Sequence, residues 1–455
     1  MRIHFIGIGG IGVSALARYY LARGFEASGS DVAESKTTNE LEKLGAKIFV
    51  GHKKQNLANL SSCDDGRIIY SAAVEENNLE LVEARRRGVK CQTYAQALGE
   101  LTKKYFTIAV SGTHGKSTTT AMIGLILEAA GLDPTVIVGT KVREWNNSNF
   151  RLGKSRYLVI EADEYSASFL NYWPKIIVLT NIEEDHLDYY KNLEHIKKAF
   201  YEYINHLDGK GVLVSNNEDK NIQDLISNFQ FPISNKIPNS KFQIQNYCAS
   251  EKIEGLKLQI PGKHNLSNAA AAITVARLLK IPDKISIKTL NNFSGTWRRM
   301  EYKGKINGAR IYDDYGHHPT EIKATLQGAR ELLAIGNKRF AMSDRRLWCV
   351  FQPHQFQRTY QLFDKFANAF DDADKVILLP IYSVAGREKD EIKKKVSSQM
   401  LALRLKAQGK AKEVIYLNDF NEAKEYLMKN LKKDDICVIM GAGDIYKLTE
   451  ILLKS

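Results

Sequence analysis

Proline, cysteine and long apolar runs are scarce in this 455-residue sequence, and each scarcity excludes a class of protein. Nine prolines beside 44% hydrophobic residues exclude a proline-rich or disordered chain. The five cysteines form no CxxC pair, which argues against a disulfide framework or a thiolate zinc site and for a reducing compartment. No apolar run could span a bilayer and no signal peptide precedes the first strand, so we expect a cytoplasmic protein without a membrane partner.

Basic residues exceed acidic ones, with 65 Lys and Arg against 52 Asp and Glu and a net charge of +13. Such a balance favours anionic partners, including nucleotides and phosphorylated substrates. The sequence contains no long block of like charges and no basic patch interleaved with aromatic residues. We therefore do not expect nucleic acid as a partner.

Short apolar segments alternate with segments of helical period along the whole chain, which predicts an α/β fold with parallel sheets. The length requires several domains. We predict three, over residues 1–98, 99–295 and 296–455. The predicted strands include Arg2–Ile8, Thr107–Ser111, Tyr157–Glu161, Lys175–Thr180, Leu347–Phe351, Lys375–Pro380 and Asp435–Met440.

A glycine-rich loop follows the first predicted strand and precedes an apolar helix predicted over Val13–Ala22. Glycines at such a turn let the backbone approach a diphosphate at the positive end of the helix. Asp31 lies nineteen residues past Gly12, where a dinucleotide fold carries its ribose-binding acid. The pattern fits a dehydrogenase that uses NAD, a protein that binds a UDP-sugar, or a simple tight turn.

A second glycine loop, Gly112–Ser117, lies between a predicted strand and a helix predicted over Thr119–Ala130. Its amides and Lys116 are suited to the β and γ phosphates of ATP, and the Ser117 hydroxyl to Mg²⁺. The spacing GxxGKS is two residues shorter than the usual GxxxxGK[ST] pattern. Its position between strand and helix, rather than the motif alone, predicts a phosphate site.

Acidic clusters end the next two predicted strands, Glu161–Glu164 after one and Asn181–His186 after the other. Ligands of parallel sheets bind at the carboxyl ends of the strands. We therefore expect both clusters near the phosphate loop, where a carboxylate and a neutral imidazole can hold Mg²⁺. A solvated strand end is the alternative for either cluster alone.

Six segments in this order resemble the Mur ligase family: GTHGKSTTT, EADE, TNIEEDHLD, GKHNLSNAAAA, GTWRRME and DDYGHHPTEI. Together with GIGGIGVSALA and FQPH they are most similar to the branch that joins L-alanine to UDP-N-acetylmuramate. The match covers essentially the whole chain. It implies a Rossmann-like N-terminal domain, a central ATPase domain of P-loop type and a Rossmann-like C-terminal domain. It also implies ATP and Mg²⁺, with Mn²⁺ as a substitute, and a monomer or weak homodimer.

The resemblance, with the loops above, implies a role for each matching residue. ATP contacts are expected at Gly112, Thr113, His114, Gly115, Lys116, Ser117, Thr118, His264, Asn265 and Asn268. UDP-sugar contacts are expected at Gly7, Gly9, Gly10, Gly12, Ser30 and Asp31. Catalytic roles are expected for Lys116, Glu161, His186, Arg299 and Asp314, with metal ligation by Ser117, Glu161 and His186. Substrate or amino-acid contacts are expected at His317, His318 and Arg358.

The sequence departs from the family at several positions. Ser117 replaces the usual Thr and keeps the hydroxyl, whereas Ser166 stands where this branch often has an acid. Gln355 stands where many relatives carry Arg, and Tyr201 where several carry a carbamylated lysine, which we do not expect here. The connection Ile335–Arg345 is longer than is usual for the branch.

Three other functions are alternatives to alanine ligation. A sister ligase that adds a recovered peptide shares most motifs, but it usually has Phe-Ala where this chain has Tyr315-Gly316. A dehydrogenase explains only residues 1–31. A non-catalytic nucleotide-binding regulator would need no equivalents of Glu161, His186 and Asp314.

Overall fold

The computed structural model describes residues 2–60, 66–187, 189–230, 242–335, 345–384, 388, 390–409 and 413–454. Contacts divide the chain into two compact units. The first comprises Met1–Glu183, Ile196–Leu256 and Asn268–Leu290, and the second Glu184–His195, Lys257–Ser267 and Asn291–Ser455. Both units contain parallel-rich sheets and helices, so the predicted α/β class is confirmed. Most of the long connection between Ile335 and Arg345 lies outside the described residues, as does Cys63.

The first unit contains two sheets. A five-stranded parallel sheet has the order β3-β2-β1-β4-β5. Its strands are β1 (Arg2–Ile6), β2 (Glu26–Asp31), β3 (Lys47–Val50), β4 (Arg67–Tyr70) and β5 (Lys90–Thr93). A seven-stranded sheet has the order β12-β11-β10-β6-β9-β7-β8, antiparallel only between β7 and β8. Its strands are β6 (Phe106–Ser111), β7 (Thr135–Val142), β8 (Ser148–Arg151), β9 (Tyr157–Glu161), β10 (Ile176–Leu179), β11 (Val212–Asn216) and β12 (Gln243–Tyr247).

The second unit contains a six-stranded sheet of order β13-β14-β18-β15-β16-β17, antiparallel only between β13 and β14. Its strands are β13 (Glu301–Ile306), β14 (Ala309–Asp314), β15 (Leu347–Phe351), β16 (Lys375–Leu378), β17 (Glu413–Tyr416) and β18 (Ile436–Met440). The central strands β15 and β18 are buried along their whole length. Parallel strands covered on both faces require such continuous apolar runs, which explains the sequences LWCVF and ICVIM.

The helices alternate with the strands, as a parallel sheet requires. Those from the N-terminus to the middle of the chain are α1 (Ile11–Ala22), α2 (Lys36–Lys43), α3 (Leu79–Arg86), α4 (Tyr94–Thr102), α5 (Lys116–Ala129), α6 (Leu193–Ile204), α7 (Lys220–Gln230), α8 (Lys263–Leu278) and α9 (Asp283–Asn292). The rest are α10 (Pro319–Ile335), α11 (Phe356–Gln361), α12 (Phe363–Ala367), α13 (Asp390–Lys393), α14 (Ser398–Gln408), α15 (Phe420–Asn430) and α16 (Tyr446–Leu453). Among the described residues, no helix has the length and apolar character needed to cross a membrane.

The strand and helices that flank the two glycine loops have different bounds from those predicted from the sequence. Strand β1 ends at Ile6 and not Ile8, because Gly7 has φ +76° and leaves the extended backbone. Helix α5 begins at Lys116 and not Thr119, directly after Gly115 with φ +84°. Helix α1 likewise starts two residues before the predicted Val13. The other predicted strands are correct to within two residues at each end.

Candidate active site

The phosphate loop lies at the centre of an edge where three strands end. Strand β6 pairs in parallel with β10 on one side and β9 on the other. Ser111, Glu161 and Leu179 therefore end their strands at the same edge of the sheet. The expectation that the Glu161 cluster flanks the phosphate loop is confirmed by this pairing.

The end of β10 fixes the shape of the loop that follows β6. The His114 amide donates to Asn181 Oδ1 at 2.8 Å, and the Thr180 hydroxyl donates to the His114 carbonyl at 2.7 Å. A Cβ on Gly112, whose φ is +128°, would lie 2.1 Å from the Thr180 hydroxyl. The shortened spacing is accommodated because a neighbouring strand, not extra loop residues, holds the turn.

Lys116 is held above the loop by oxygens on three sides. Its Nζ donates to the carbonyls of Gly112 at 2.7 Å and Thr113 at 3.2 Å, and lies 2.8 Å from Glu164 Oε2. Burial alone would lower the pKa of Lys116, but the carboxylates of Glu164, Asp163 and Glu161 raise it above its ordinary value. The lysine is therefore a fixed cation, aimed where the phosphates of a nucleotide would lie.

Ser117 and Glu161 form an oxygen cluster at the start of α5. The Ser117 hydroxyl donates to Glu161 Oε2 at 2.8 Å, and the same oxygen accepts the amide of Gly139 on β7, also at 2.8 Å. A Cβ on Gly139 would lie 2.7 Å from that carboxylate oxygen, so glycine is required for this approach. A hydroxyl beside a carboxylate is the donor set that Mg²⁺ prefers, and these residues fit such an ion.

Asn268 of α8, a predicted ATP contact, lies against this loop. Its Oδ1 accepts from the Thr119 hydroxyl at 3.2 Å, and a Cβ on Gly115 would lie 2.4 Å from it. His264 and Asn265 precede it on the same helix but belong to the second unit. Asn265 donates its amide to the Pro261 carbonyl at 2.7 Å.

The N-terminal glycine loop is held by the end of β2. The amides of Gly7 and Ile8 donate to the Ser30 carbonyl at 2.8 and 3.1 Å. Asp31 Oδ2 accepts the amide of Gly9 at 2.8 Å, and a Cβ on Gly9 would lie 2.9 Å from that oxygen. One carboxylate oxygen of Asp31, the predicted ribose-binding residue, therefore already accepts a hydrogen bond from the loop backbone.

A buried carboxylate that the sequence did not single out, Glu80, braces the same region. It accepts from the Ser30 hydroxyl at 2.5 Å, from Asn56 Nδ2 at 2.6 Å, and lies 3.1 Å from His52 Nδ1 and 3.5 Å from His4 Nε2. Burial would raise the pKa of Glu80, but the hydrogen bonds from His4 and Ser30 lower it overall. An anion is thus held under the rim where β2 and β3 end.

In the second unit, Glu321 organises the two candidate motifs of the C-terminal sheet. Its Oε1 accepts from Arg299 Nη1 at 3.2 Å, and its Oε2 accepts the amides of His317 at 3.0 Å and His318 at 3.2 Å. Asp314 accepts the amides of Met300 and Gly316 at 2.8 and 2.7 Å. Burial lowers the pKa of His317 to about 4, so its imidazole is neutral near pH 7.

Arg358 is paired with Asp185 at 3.1 Å, and both side chains are almost fully buried. Burial would raise the pKa of Asp185, but Arg358 and the nearby histidines lower it well below its usual value. A concave pocket surrounds this pair and is lined by Asp185, His186, Leu187, Gln355, Gln357, Arg358, Gln361 and Leu362. The pocket is a small site with one cation and several neutral amides.

His186 lies in this pocket, with φ +53° and its amide donating to Asp185 Oδ1 at 2.7 Å. Gln355, the position that departs from the family, also has a left-handed φ of +72°. Such backbone strain in a residue with a β-carbon is typical of functional loops.

The structure brings together Lys116, Ser117 and Glu161 in the first unit, and Arg299, His317 and His318 around one carboxylate in the second. The sequence alone assigns no role to the acids that hold these groups. Glu164, Asp185 and Glu321 lie inside the family motifs EADE, TNIEEDHLD and DDYGHHPTEI, whereas Glu80 carries no local signature. Their common signal is a carboxylate with low exposure, which only the structure reveals.

Models of three Mur ligase domains match the chain in succession. The model of the Mur ligase family catalytic domain matches residues 2–106, the middle domain 110–276, and the glutamate ligase domain 298–443.

Curated relatives match over the full length of the chain. UDP-N-acetylmuramate--L-alanine ligases from Acetivibrio thermocellus and Clostridium tetani are each 42% identical over 100% of this chain, and 96% and 98% of their own lengths are covered. A crystal structure of UDP-N-acetylmuramate-alanine ligase from Thermotoga maritima has TM-score 0.77 at 27% identity, covering 100% of this chain and 98% of the other. A murein peptide ligase from Psychrobacter arcticus has TM-score 0.71 at 23% identity with the same coverages, a likeness of fold alone.

Proposed function

The chain belongs to the Mur ligase family, and we propose that it joins L-alanine to the lactoyl carboxylate of UDP-N-acetylmuramate at the expense of ATP. Identity of 42% over the full chain to ligases of that name supports this pair of substrates. The observation that carries the chemistry is Lys116, a buried cation fixed by Glu164 at the edge where Glu161 and Ser117 meet. The product is an intermediate of peptidoglycan precursor synthesis.

The proposed reaction has two steps. The lactoyl carboxylate attacks the γ-phosphorus of ATP, the bond to the bridging oxygen breaks, and ADP leaves an acyl phosphate behind. The alanine amine then attacks the acyl carbon, and a tetrahedral intermediate collapses with loss of inorganic phosphate. The loop amides and Lys116 would orient and neutralise the transferring group, since phosphoryl transfer depends mainly on positioning and charge.

Ser117 and Glu161 are the side chains that would hold a Mg²⁺ ion beside the phosphates, and His186 would contribute to a second metal position. Such an ion supplies positive charge against the oxygens of the transferring phosphoryl group. Imidazole is a less usual magnesium ligand than a carboxylate, so Mn²⁺ would be accepted as well.

The amino acid would bind in the second unit near Arg358. Its guanidinium is the cation for the alanine carboxylate, and Asp185 fixes its orientation. His317 is neutral near pH 7 and adds no competing positive charge. The neutral Gln355 removes a second cation from the pocket lining.

The decisive experiment measures ATP-dependent phosphate release from the purified chain. UDP-N-acetylmuramate is supplied with L-alanine, glycine, L-serine or the tripeptide of a recycling ligase. We expect release above background with L-alanine and little with the tripeptide. Preference for the tripeptide would move the chain to the sister branch, and phosphate release independent of both substrates would contradict the proposal. Gel filtration of the same sample tests the expected monomer or weak homodimer.

A further inference from the structure

Tyr94, the first residue of α4, lies against the N-terminal glycine loop. A Cβ on Gly12 would meet the tyrosine ring at 2.9 Å from Cζ and 3.1 Å from Cε1, and its hydroxyl at 3.3 Å. Gly12 is not among the glycines with positive φ. The close approach of Tyr94, and not the backbone conformation, therefore disfavours a side chain at this position.

The same side chain is influenced by two acids, Glu161 at the end of β9 and Asp163 two residues later. Burial raises the pKa of Tyr94, and the charges of Glu161 and Asp163 raise it further. The hydroxyl consequently stays protonated and can act as a hydrogen-bond donor. Among the described residues, no hydrogen bond of this hydroxyl is found, so its donor capacity is available to a ligand.

The Gly7–Gly12 loop contains no basic side chain, so any hydrogen-bond donor that it offers to a diphosphate is neutral. Between Gly7 and Gly12 there is no Lys or Arg, and the first turn of α1 contains no basic residue. Free amides at the helix N-terminus are the ordinary partners of a diphosphate there. The Tyr94 hydroxyl lies beside Gly12 and adds a neutral donor there.

We propose that the Tyr94 hydroxyl donates a hydrogen bond to a diphosphate oxygen of the sugar nucleotide bound at the Gly7–Gly12 loop. The inference rests on the proposed function, since that function supplies the sugar nucleotide. It makes Tyr94 a substrate-binding residue beside Gly12, whereas Asp31 contacts the loop at Gly9. The diphosphate is favoured over the lactoyl carboxylate because the hydroxyl lies within 3.3 Å of the Gly12 Cβ position, at the start of α1.

The test is calorimetric binding to the full-length chain and to its Tyr94→Phe variant, which keeps the ring on Gly12. The probes are uridine, UDP, UDP-N-acetylmuramate and ATP, each titrated separately. A hydrogen bond to a charged group contributes about a tenfold to hundredfold change in affinity. We expect Tyr94→Phe to weaken UDP and UDP-N-acetylmuramate by at least about tenfold and to leave uridine and ATP unchanged.

Tyr157→Phe is the matched control, because Tyr157 packs edge-on against Phe106 at the opposite end of the strand that carries Glu161. It should bind all probes like the wild type. Unchanged UDP affinity in Tyr94→Phe would overturn this inference, as would weakening confined to UDP-N-acetylmuramate, which would assign the contact to the sugar or lactoyl group. Failure of the wild type to bind any uridine nucleotide would instead contradict the proposed function.

Discussion

The chain contains two strand–glycine loop–helix turns, and they manage charge in opposite ways. The Gly112–Ser117 loop contains Lys116, which Glu164 holds at 2.8 Å. The Gly7–Gly12 loop has no cation, and acids beneath it, Asp31 and Glu80, shape it by accepting hydrogen bonds. Both loops precede a helix N-terminus, yet only the Gly112–Ser117 loop carries a positive side chain, which is held in place.

This difference in charge agrees with the two functions that we propose for the loops, phosphoryl transfer at Gly112–Ser117 and nucleotide binding at Gly7–Gly12. A group that transfers phosphate must stabilise charge that changes during the reaction, whereas a group that only holds a nucleotide binds ground state and transition state alike. We propose that Lys116 and the Ser117–Glu161 cluster belong to the first kind. We propose that the Gly7–Gly12 loop belongs to the second. Changes at the two loops should therefore separate into effects on turnover and effects on substrate binding.

The largest effect is expected for Lys116→Ala. Loss of the phosphate-positioning cation should reduce kcat by about a hundredfold or more, because electrostatic groups of this kind contribute that much. UDP-N-acetylmuramate affinity should stay unchanged. Steady-state phosphate release and calorimetry measure the two quantities, with Lys175→Ala, an exposed lysine paired with Asp208, as the control. Turnover within about tenfold of wild type would remove Lys116 from the mechanism.

Glu161→Gln should raise the metal concentration required for half-maximal activity by about tenfold, because a neutral amide is a weaker ligand for Mg²⁺. His186→Ala should have a similar but smaller effect, with partial rescue by Mn²⁺ in both variants. Activity is titrated against each metal at saturating substrates. Glu218→Gln, an exposed acid bonded to Ser250, provides the control. An unchanged metal requirement in Glu161→Gln would exclude this carboxylate as a ligand.

Glu80→Gln tests whether the buried Glu80 carboxylate supports the region around the Gly7–Gly12 loop. The new amide would present hydrogens to the Asn56 amide that now donates to it, so the free energy of unfolding should fall by about 1–3 kcal/mol. The KM for UDP-N-acetylmuramate should rise more than kcat falls. Urea denaturation and kinetics provide the two readouts. Glu83→Gln on the same helix, where the acid pairs with Arg86 and Arg87, should lower the free energy of unfolding less than Glu80→Gln does.

The smallest effect is expected when the full chain is titrated with NAD in a calorimeter. If the Gly7–Gly12 loop serves a UDP-sugar, titration of the full chain with NAD should give no saturable heat, whereas UDP-N-acetylmuramate should give a clear isotherm. Saturable NAD binding at micromolar concentrations, without a response to the UDP-sugar, would favour the dehydrogenase interpretation of residues 1–31.

The sequence by itself determined the α/β class, the two glycine loops, most strand bounds and the residues that carry charge at the loop edge. These features are local: a buried parallel strand must be apolar throughout, and a tight turn before a helix must use glycine at positive φ. The domain boundaries at residues 98 and 295 and the roles of His186, Arg358 and the C-terminal histidines stay predictions.

Only the tertiary structure decided which carboxylate side chain pairs with which donor. The sequence does not show the roles of Glu164, Glu80, Asp185 and Glu321, because the side chain that each one pairs with lies many residues away in the chain. The same holds for Gly12, whose conformation is ordinary and where the close approach of the Tyr94 ring disfavours a side chain. Sequence spacing encodes contacts within a turn or helix, whereas contacts between strands and across a sheet edge arise from the order in which the strands pair.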